Sequence, residues 1–168
     1  AASLNFPDLL MLRGGYQFKP TPPFTVGMDL AGTVDAVGSG VAMQPGQRVA
    51  GGTKTGAFAD YAIRSASALH PVPGAISAPH AAAYPAAYTT AYVSLVERGQ
   101  LQAGETLLVH GASGGVGMAS IDVGRILGAT VIATTASEQK VQALRLAGAH
   151  HVIVLGPKPG DAFRDQVK

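Results

Sequence analysis

Residues 106–117 constrain the fold of this chain more than any other segment. Their sequence, TLLVHGASGGVG, predicts an apolar β-strand followed by a glycine-rich turn. A helix is predicted to begin in this turn at Gly115 and to run to Leu127, and a second strand is predicted at 130–135. A helix that begins directly after a strand presents free backbone N–H groups and the positive end of its dipole at one point. The segment therefore predicts a βαβ unit that binds the diphosphate of a dinucleotide.

Two glycines of the turn have separate predicted tasks. Gly114 lets the backbone approach the diphosphate with no Cβ in between, and Gly117 lets the helix pack closely on the strand. The pattern departs from G-x-G-x-x-G at its first position, which is Ala112. Glycines also occur in ordinary tight turns, so the strand–turn–helix–strand context carries the prediction. The residues predicted to hold the diphosphate are Ser113, Gly114, Gly115, Val116 and Gly117.

The end of the second predicted strand bears on the choice of dinucleotide. A site for NAD usually places a carboxylate there, for the ribose 2′-hydroxyl. This chain has instead small hydroxyl residues, Ser137 among them, followed by Lys140. Hydroxyl donors and a cation favour a 2′-phosphate and hence NADPH. Alternatively, Ser137 caps a helix that begins at Glu138 and Lys140 is a solvated surface charge, and the carboxylate of Glu138 keeps NADH possible.

Composition excludes several classes of protein. Of the 168 residues, 47% are hydrophobic and 13% are charged, which is typical of a globular protein. The net charge is +2, and the lysines and arginines are scattered, so neither a nucleic acid nor a membrane is expected as a partner. Without cysteine there is no disulfide, no thiolate metal ligand and no cysteine nucleophile. This composition is compatible with the cytoplasm, which is the predicted location.

The chain is predicted to be an α/β protein of two parts. Residues 1–79, rich in glycine and proline, predict a small β-barrel-like unit; residues 80–168 alternate strand and helix and predict a parallel sheet covered by helices. Strands are predicted at 24–25, 30–37, 47–50, 57–64 and 151–155, turns at 38–40 and 45–46, and a helix at 78–98. Gly128 and Gly148 are predicted to terminate helices.

The three predicted parallel strands are fewer than a complete dinucleotide-binding fold contains. Such a fold normally has about six strands in two βαβαβ halves. The sequence shows only the first half, and it does not begin with Met. We therefore expect the chain to be a fragment of a longer protein.

The motifs, taken together and in order, resemble those of the zinc-independent medium-chain dehydrogenases/reductases of the quinone oxidoreductase (zeta-crystallin-like) group. The segments that carry the resemblance are Asn5-Phe6-Pro7-Asp8, Gly15-Tyr16, Gly27-Met28-Asp29-Leu30-Ala31-Gly32, Gly46-Gln47-Arg48-Val49, Gly56-Ala57-Phe58-Ala59-Asp60-Tyr61 and Val109-His110-Gly111-Ala112-Ser113-Gly114-Gly115-Val116-Gly117. The resemblance implies a GroES-like catalytic domain, here at 1–79 without its N-terminal part. It further implies that 80–168 comprise an inter-domain helix and the first half of a Rossmann domain.

The resemblance also implies a function: hydride transfer from NADPH to a quinone or an α,β-unsaturated carbonyl, by a protein that is a homodimer when full length. It implies that Asn5 lines the nicotinamide and substrate pocket as a neutral donor, and that Tyr16 contacts cofactor or substrate. Thr90 would approach the nicotinamide carboxamide, and Lys140 the 2′-phosphate. Each of these residues also has a purely structural alternative. Asn5 forms an Asx-type turn with Asp8, Tyr16 is a half-buried loop aromatic, and the Thr90 side chain hydrogen-bonds to a carbonyl of its own helix.

No metal site is expected. Zinc-dependent relatives carry Cys and His where this chain has Asn5 and Met28, and catalytic zinc needs three protein ligands.

Asp29 stands where the family usually has Glu, and it is expected to be structural. Leu10 and Leu155 stand where some relatives have Tyr, which bears on substrate range and on the preference for NADP. An enoyl-thioester reductase and a non-catalytic nucleotide-binding or structural fragment remain as alternative functions.

Overall fold

The computed structural model describes residues 1–155, so the end of the predicted domain 80–168 lies outside the described residues. The chain divides into two compact units, Ala1–Ala86 and Ala87–Lys168. The division falls inside helix α2, Ala78–Tyr92, which also contains the predicted boundary between residues 79 and 80. Within residues 1–155, no helix combines the length and apolar character needed to cross a membrane.

The first unit is built on an antiparallel sheet of four strands in the order β1-β2-β3-β4. The strands are β1 (Ala2–Ser3), β2 (Asp29–Thr33), β3 (Arg48–Gly52) and β4 (His70–Pro71). A short helix, α1 (Phe6–Leu12), follows β1. Ser3 lies opposite Asp29 in the register of β1 and β2. The start of α1 is thereby held beside the start of β2.

Two strand predictions in this unit are wrong. Residues 24–25 and 57–64 form no regular strand, although the backbone N–H of Phe58 donates to the Val26 carbonyl oxygen at 3.1 Å. Gly27 and Gly56 have φ values of +112° and +89°, which interrupt extended backbone at this contact. The predicted strands at 30–37 and 47–50 correspond to β2 and β3 with shifted ends.

The second unit has the predicted parallel sheet, so the α/β fold class is confirmed. Its strands, in the order β5-β6-β7, are β5 (Thr106–Val109), β6 (Thr130–Thr135) and β7 (His151–Val154). Helix α3 (Gly115–Ile126) joins β5 to β6, and a 3-10 turn (Glu138–Lys140) and α4 (Val141–Leu146) lead to β7. The predicted helix at 78–98 is α2 continued by a π-helical segment, Val93–Arg98. Gly128 and Gly148, with φ of +81° and +104°, follow α3 and α4 as predicted.

Each unit has its own apolar core. In the second unit, the side chains of Ile121, Val131 and Leu144 are fully buried between the sheet and its helices. Gly124 lets α3 lie close to β5, because a Cβ there would be 2.5 Å from a Leu107 methyl carbon. This packing fixes the start of α3 relative to the end of β5, where the glycine-rich turn lies. The first unit packs mainly alanines between α2 and its sheet: Ala31, Ala50, Ala81 and Ala82.

Candidate functional site

The turn between β5 and α3 has the geometry of an anion-binding site. Gly114 is the N-cap of α3, with extended backbone and no side-chain hydrogen bond at the cap. The first backbone N–H groups of a helix have no partner within that helix. Those of Gly115, Val116 and Gly117 are therefore available, and Gly115 and Val116 are solvent-exposed. Three donors and the positive end of the helix dipole converge on one point, which suits a phosphate.

The glycines of the turn differ in what a side chain would meet. At Gly117 a Cβ would lie 2.6 Å from the Ala112 Cα and carbonyl oxygen, so the protein itself excludes a side chain there. At Gly114 a Cβ would lie 3.7 Å from the Gly111 carbonyl oxygen, which is an ordinary van der Waals contact. At Gly115 no atom lies within 4 Å. The described protein thus leaves space at Gly114 and Gly115 for a ligand to approach the backbone.

Ala112 replaces the first glycine of the usual motif without disturbing the turn. The residue with left-handed backbone is Gly111, at φ +63°, and not Ala112. Ala112 is fully buried, and its backbone N–H donates to the Thr134 carbonyl oxygen at 2.9 Å. The tight turn therefore needs its glycine one position earlier than the motif places it.

The two threonines at the end of β6, Thr134 and Thr135, are buried and are hydrogen-bonded within the protein. Thr134 is fully buried, and its Oγ1 accepts from the Gly111 backbone N–H at 3.3 Å. The same Oγ1 is 3.0 Å from His110 Nδ1. Thr135 is also buried, and its Oγ1 accepts from the Ser137 backbone N–H at 3.2 Å. Thr134 thereby helps to hold the glycine turn in place, a role that is not evident from the sequence because it depends on the register of neighbouring strands.

Ser137 and Lys140 remain accessible after β6. Ser137 is half-buried and precedes the 3-10 turn, but its side chain makes no capping hydrogen bond, so the capping alternative receives no support. Lys140 is exposed and forms no salt bridge with another described residue. Both side chains are free to meet a phosphate, and their role in binding one stays a prediction.

A cavity of about 470 Å³ lies along β5 and the glycine turn. The predicted diphosphate residues from Gly114 to Gly117 line it, together with Ser120 of α3. Ser113 is half-buried in the turn and does not line this cavity. The lining also includes apolar side chains, Leu95 and Leu108 among them. The site therefore combines a polar backbone cradle with an apolar side.

Asn5, in the first unit, is the N-cap of α1, and both hydrogens of its amide are used within the protein. Its Nδ2 donates to Ser3 Oγ and to Asp29 Oδ2, at 3.0 Å each. The backbone N–H of Asn5 donates to Asp8 Oδ2 at 2.8 Å. Asn5 and Asp8 form a capping box in which the Asn5 side chain faces the Asp8 N–H, although that N–H is hydrogen-bonded to the Asn5 carbonyl oxygen at 3.0 Å. Asn5 and Asp8 therefore form a local turn, as the structural alternative for Asn5 predicted.

Asp29 is a buried carboxyl on which several donors converge. It is 2% exposed, and its Oδ2 accepts from Ser3 Oγ at 3.3 Å, from the Asn5 amide and from the Ala86 backbone N–H at 3.1 Å. Burial raises the pKa of Asp29, the three hydrogen bonds oppose that rise, and the nearby charge of Asp8 adds to it. Asp8 is fully buried, and its Oδ1 has no hydrogen-bond partner in the described part of the chain.

The other predicted contacts lie in different parts of the chain. Tyr16 is half-buried in the bend after α1, in the first unit. Thr90 is exposed on α2, in the second unit, and the expected alternative bond to its own helix is not among the hydrogen bonds of the described residues. Met28 is half-buried. Across residues 1–155, no three His, Cys, Asp or Glu side chains lie close enough to hold a metal ion.

Comparison with known proteins places this geometry in context. Residues 1–74 match the family model for the alcohol dehydrogenase GroES-like domain. The quinone oxidoreductase of Pongo abelii is 36% identical over 154 residues, which are 90% of this chain and 47% of that protein. The chain spans about half the length of the curated relatives it matches.

Solved structures resemble the whole described chain. A probable oxidoreductase from Mycobacterium abscessus has a TM-score of 0.91 at 37% identity, over 99% of this chain and 54% of that one. Escherichia coli quinone oxidoreductase, solved in complex with NADPH, has a TM-score of 0.83 at 35% identity, over 91% and 47%. JamJ enoyl reductase, solved in its apo form, has a TM-score of 0.82 at 31% identity, over 99% and 51%.

Proposed function

Because this chain belongs to the quinone oxidoreductase group of the medium-chain dehydrogenases/reductases, as its motifs predict, we propose that the full-length protein is an NADPH-dependent oxidoreductase. Its substrate is a quinone or an α,β-unsaturated carbonyl, and it works without zinc. The observation that supports this proposal most directly is the open space above the backbone of Gly114 and Gly115, beside the free N–H groups of α3. That cradle fits a diphosphate, since the protein does not fill it.

NADPH supplies the hydride, from its nicotinamide. The chain binds the cofactor through the N–H groups of Gly115, Val116 and Gly117, with Ser113 and Gly114 completing the turn. Ser137 and Lys140 bind the 2′-phosphate, and Thr90 approaches the carboxamide of the nicotinamide. In this proposal the full-length protein is a cytoplasmic homodimer. Residues 1–79 and 80–168 belong to its two domains, and the full-length protein has the complete pocket.

Asn5 and Tyr16 orient the nicotinamide and the substrate in this proposal. One observation and the family resemblance favour a reaction without zinc: the Asn5 amide is held by Asp29 and Ser3, and the resemblance places Met28 where zinc-dependent relatives have a histidine. A thioether and an engaged amide are poor ligands for zinc, which prefers thiolate, imidazole and carboxylate. Orientation and electrostatics then replace metal polarisation of the carbonyl.

Gly114→Ala in the full-length protein tests the cradle. The added methyl group has room in the protein but occupies the space of the diphosphate. We expect the melting temperature to stay close to that of the wild type while NADPH affinity falls by at least about tenfold, or about 1.4 kcal/mol. Titration of NADPH fluorescence and a thermal melt measure the two quantities.

Gly117→Ala is the matched control, because its methyl group would collide with Ala112. It should lower the melting temperature and NADPH affinity together. If Gly114→Ala binds NADPH as tightly as the wild type, the diphosphate does not lie in this turn and the proposal fails.

An enoyl-thioester reductase is the second candidate, and the similarity to JamJ enoyl reductase favours it. Steady-state rates of the full-length protein on a quinone, an enone and a crotonyl thioester separate the two. A strong preference for the thioester would select the second candidate.

A further inference from the structure

One oxygen of Asp29 joins three elements of the first unit. The Oδ2 atom accepts from Ser3 of β1, from Asn5 at the start of α1 and from Ala86 of α2. Asp29 is the first residue of β2 and is 2% exposed. Because hydrogen bonds to an ionised acceptor are roughly twice as strong as neutral ones, this single oxygen is a rigid anchor.

The Ala86 N–H of α2 reaches Asp29 directly after a proline of the helix. Pro85 lies inside this helix, where it supplies no N–H and its ring disturbs the preceding turn. The N–H of the next residue, Ala86, lies 3.1 Å from Asp29 Oδ2. The carboxylate therefore meets the helix at the residue that follows Pro85.

Asp29 also decides which way the Asn5 amide faces. An ionised carboxylate only accepts hydrogen bonds, so Asn5 must turn its NH2 group, and not its oxygen, toward Asp29. Ser3 Oγ accepts the second hydrogen of the same NH2 group. Neither amide hydrogen is left for a ligand, so the group that Asn5 can offer to a ligand is an acceptor and not the donor that the family resemblance implied.

We propose that Asp29 is a positioning residue for Asn5: its carboxylate fixes the orientation of the Asn5 amide in the pocket. The proposal rests on the proposed function, in which Asn5 lines the pocket for nicotinamide and substrate. Asp29 acts through Asn5 and through the start of α1, and it need not touch the substrate.

Asp8 offers a matched comparison, since it is another buried carboxyl of the same unit. Its Oδ2 accepts from the backbone N–H of Asn5 and not from the amide. Asp8→Asn therefore perturbs a buried carboxyl beside Asn5 without removing the acceptor that holds the Asn5 NH2 group.

The test uses the full-length protein with Asp29→Asn, Asp29→Glu and Asp8→Asn. The first readout is the pair of side-chain amide signals of Asn5 in ¹⁵N–¹H spectra, assigned by their loss in Asn5→Ala. We expect Asp29→Asn to shift both signals and to speed their exchange with water, whereas Asp29→Glu and Asp8→Asn leave them near their wild-type positions. This readout needs no substrate.

The second readout is steady-state kinetics with NADPH and a quinone. We expect Asp29→Asn to lower kcat by about 10- to 100-fold, the loss expected for one charge-assisted hydrogen bond, with an unchanged KM for NADPH. Asp29→Glu should restore most of kcat. If Asp29→Asn shifts the Asn5 signals but the wild-type protein turns over no acceptor, the proposed function is refuted and the positioning role stands.

Unchanged Asn5 signals in Asp29→Asn would overturn the inference. A second outcome would also overturn it: Asp29→Asn loses kcat only in proportion to its loss of melting temperature, and its loss of kcat equals the loss of kcat in Asp8→Asn. If Asp29→Asn does not fold, Ser3→Ala removes the other acceptor of the same NH2 group. One Asn5 amide hydrogen should then exchange faster while the other stays protected by Asp29, and fast exchange of both would count against the inference.

Discussion

Single residues of the glycine turn show that the same residue type serves different physical needs. Gly111 has left-handed backbone, Gly117 makes room for Ala112, and Gly114 and Gly115 leave space that the described protein does not fill. The sequence predicted the tasks of Gly114 and Gly117 from a known pattern. It did not predict that Gly111 supplies the left-handed backbone of the turn, so that Ala112 can replace the first glycine of the motif. Backbone angles cannot be read from the sequence alone.

Lys140→Ala tests the choice of cofactor at this scale. If Lys140 binds the 2′-phosphate, its removal should weaken NADPH binding by about 1.5–3 kcal/mol, or one to two decades in affinity, and leave NADH binding unchanged. Titration of both nucleotides measures the difference. Arg145→Gln, which removes another exposed cation nearby in the sequence, is the control. An unaltered NADPH preference would make Lys140 a plain surface charge.

Elements were predicted best where hydrophobic pattern and glycine agree. The observed β6 has the predicted bounds, and α3 ends one residue before the predicted Leu127. Prediction failed at 24–25 and 57–64, which lie close to Gly27 and Gly56, two glycines of positive φ. Apolar alternation reports burial, but a strand also requires extended backbone, and glycine permits the chain to leave it.

The join between β6 and the turn can be tested with Thr134→Val. Valine keeps the shape and removes the oxygen that accepts from the Gly111 N–H, which leaves that donor unpaired at a cost of about 1–3 kcal/mol. We expect a lower melting temperature and weaker NADPH binding in the full-length protein. Thr130→Val, at the other end of β6, should change neither strongly. Unchanged NADPH binding in Thr134→Val would show that the turn keeps its shape without this hydrogen bond.

The described part of the second unit has a sheet of three strands with β5 at one edge. Three large apolar side chains of this unit are exposed: Leu108 of the edge strand at 40%, Ile126 at 70% and Leu146 at 81%. Unpaired strand edges and exposed apolar side chains favour association. We therefore expect that half of a dinucleotide-binding sheet needs further covering.

Residues 1–168 expressed alone should therefore elute from a size-exclusion column as aggregates or as an oligomer, and they should lack turnover. The full-length protein should elute as a single species and reduce its acceptor. Column elution with light scattering and a thermal melt provide the measurements. A cooperative, monomeric melt of residues 1–168 would contradict this expectation.

The sequence alone determined the parallel β5–α3–β6 unit, the glycine turn and the family, because these depend on local pattern and on residue types at fixed spacing. Tertiary structure decided what each polar group does: it buried Thr134 against the turn, turned the Asn5 NH2 group toward Asp29 and brought Ala86 to the same carboxylate. Such contacts join residues up to 57 positions apart in the chain. Their pairing follows from strand register and from the need of buried polar groups for partners, neither of which one segment can specify by itself.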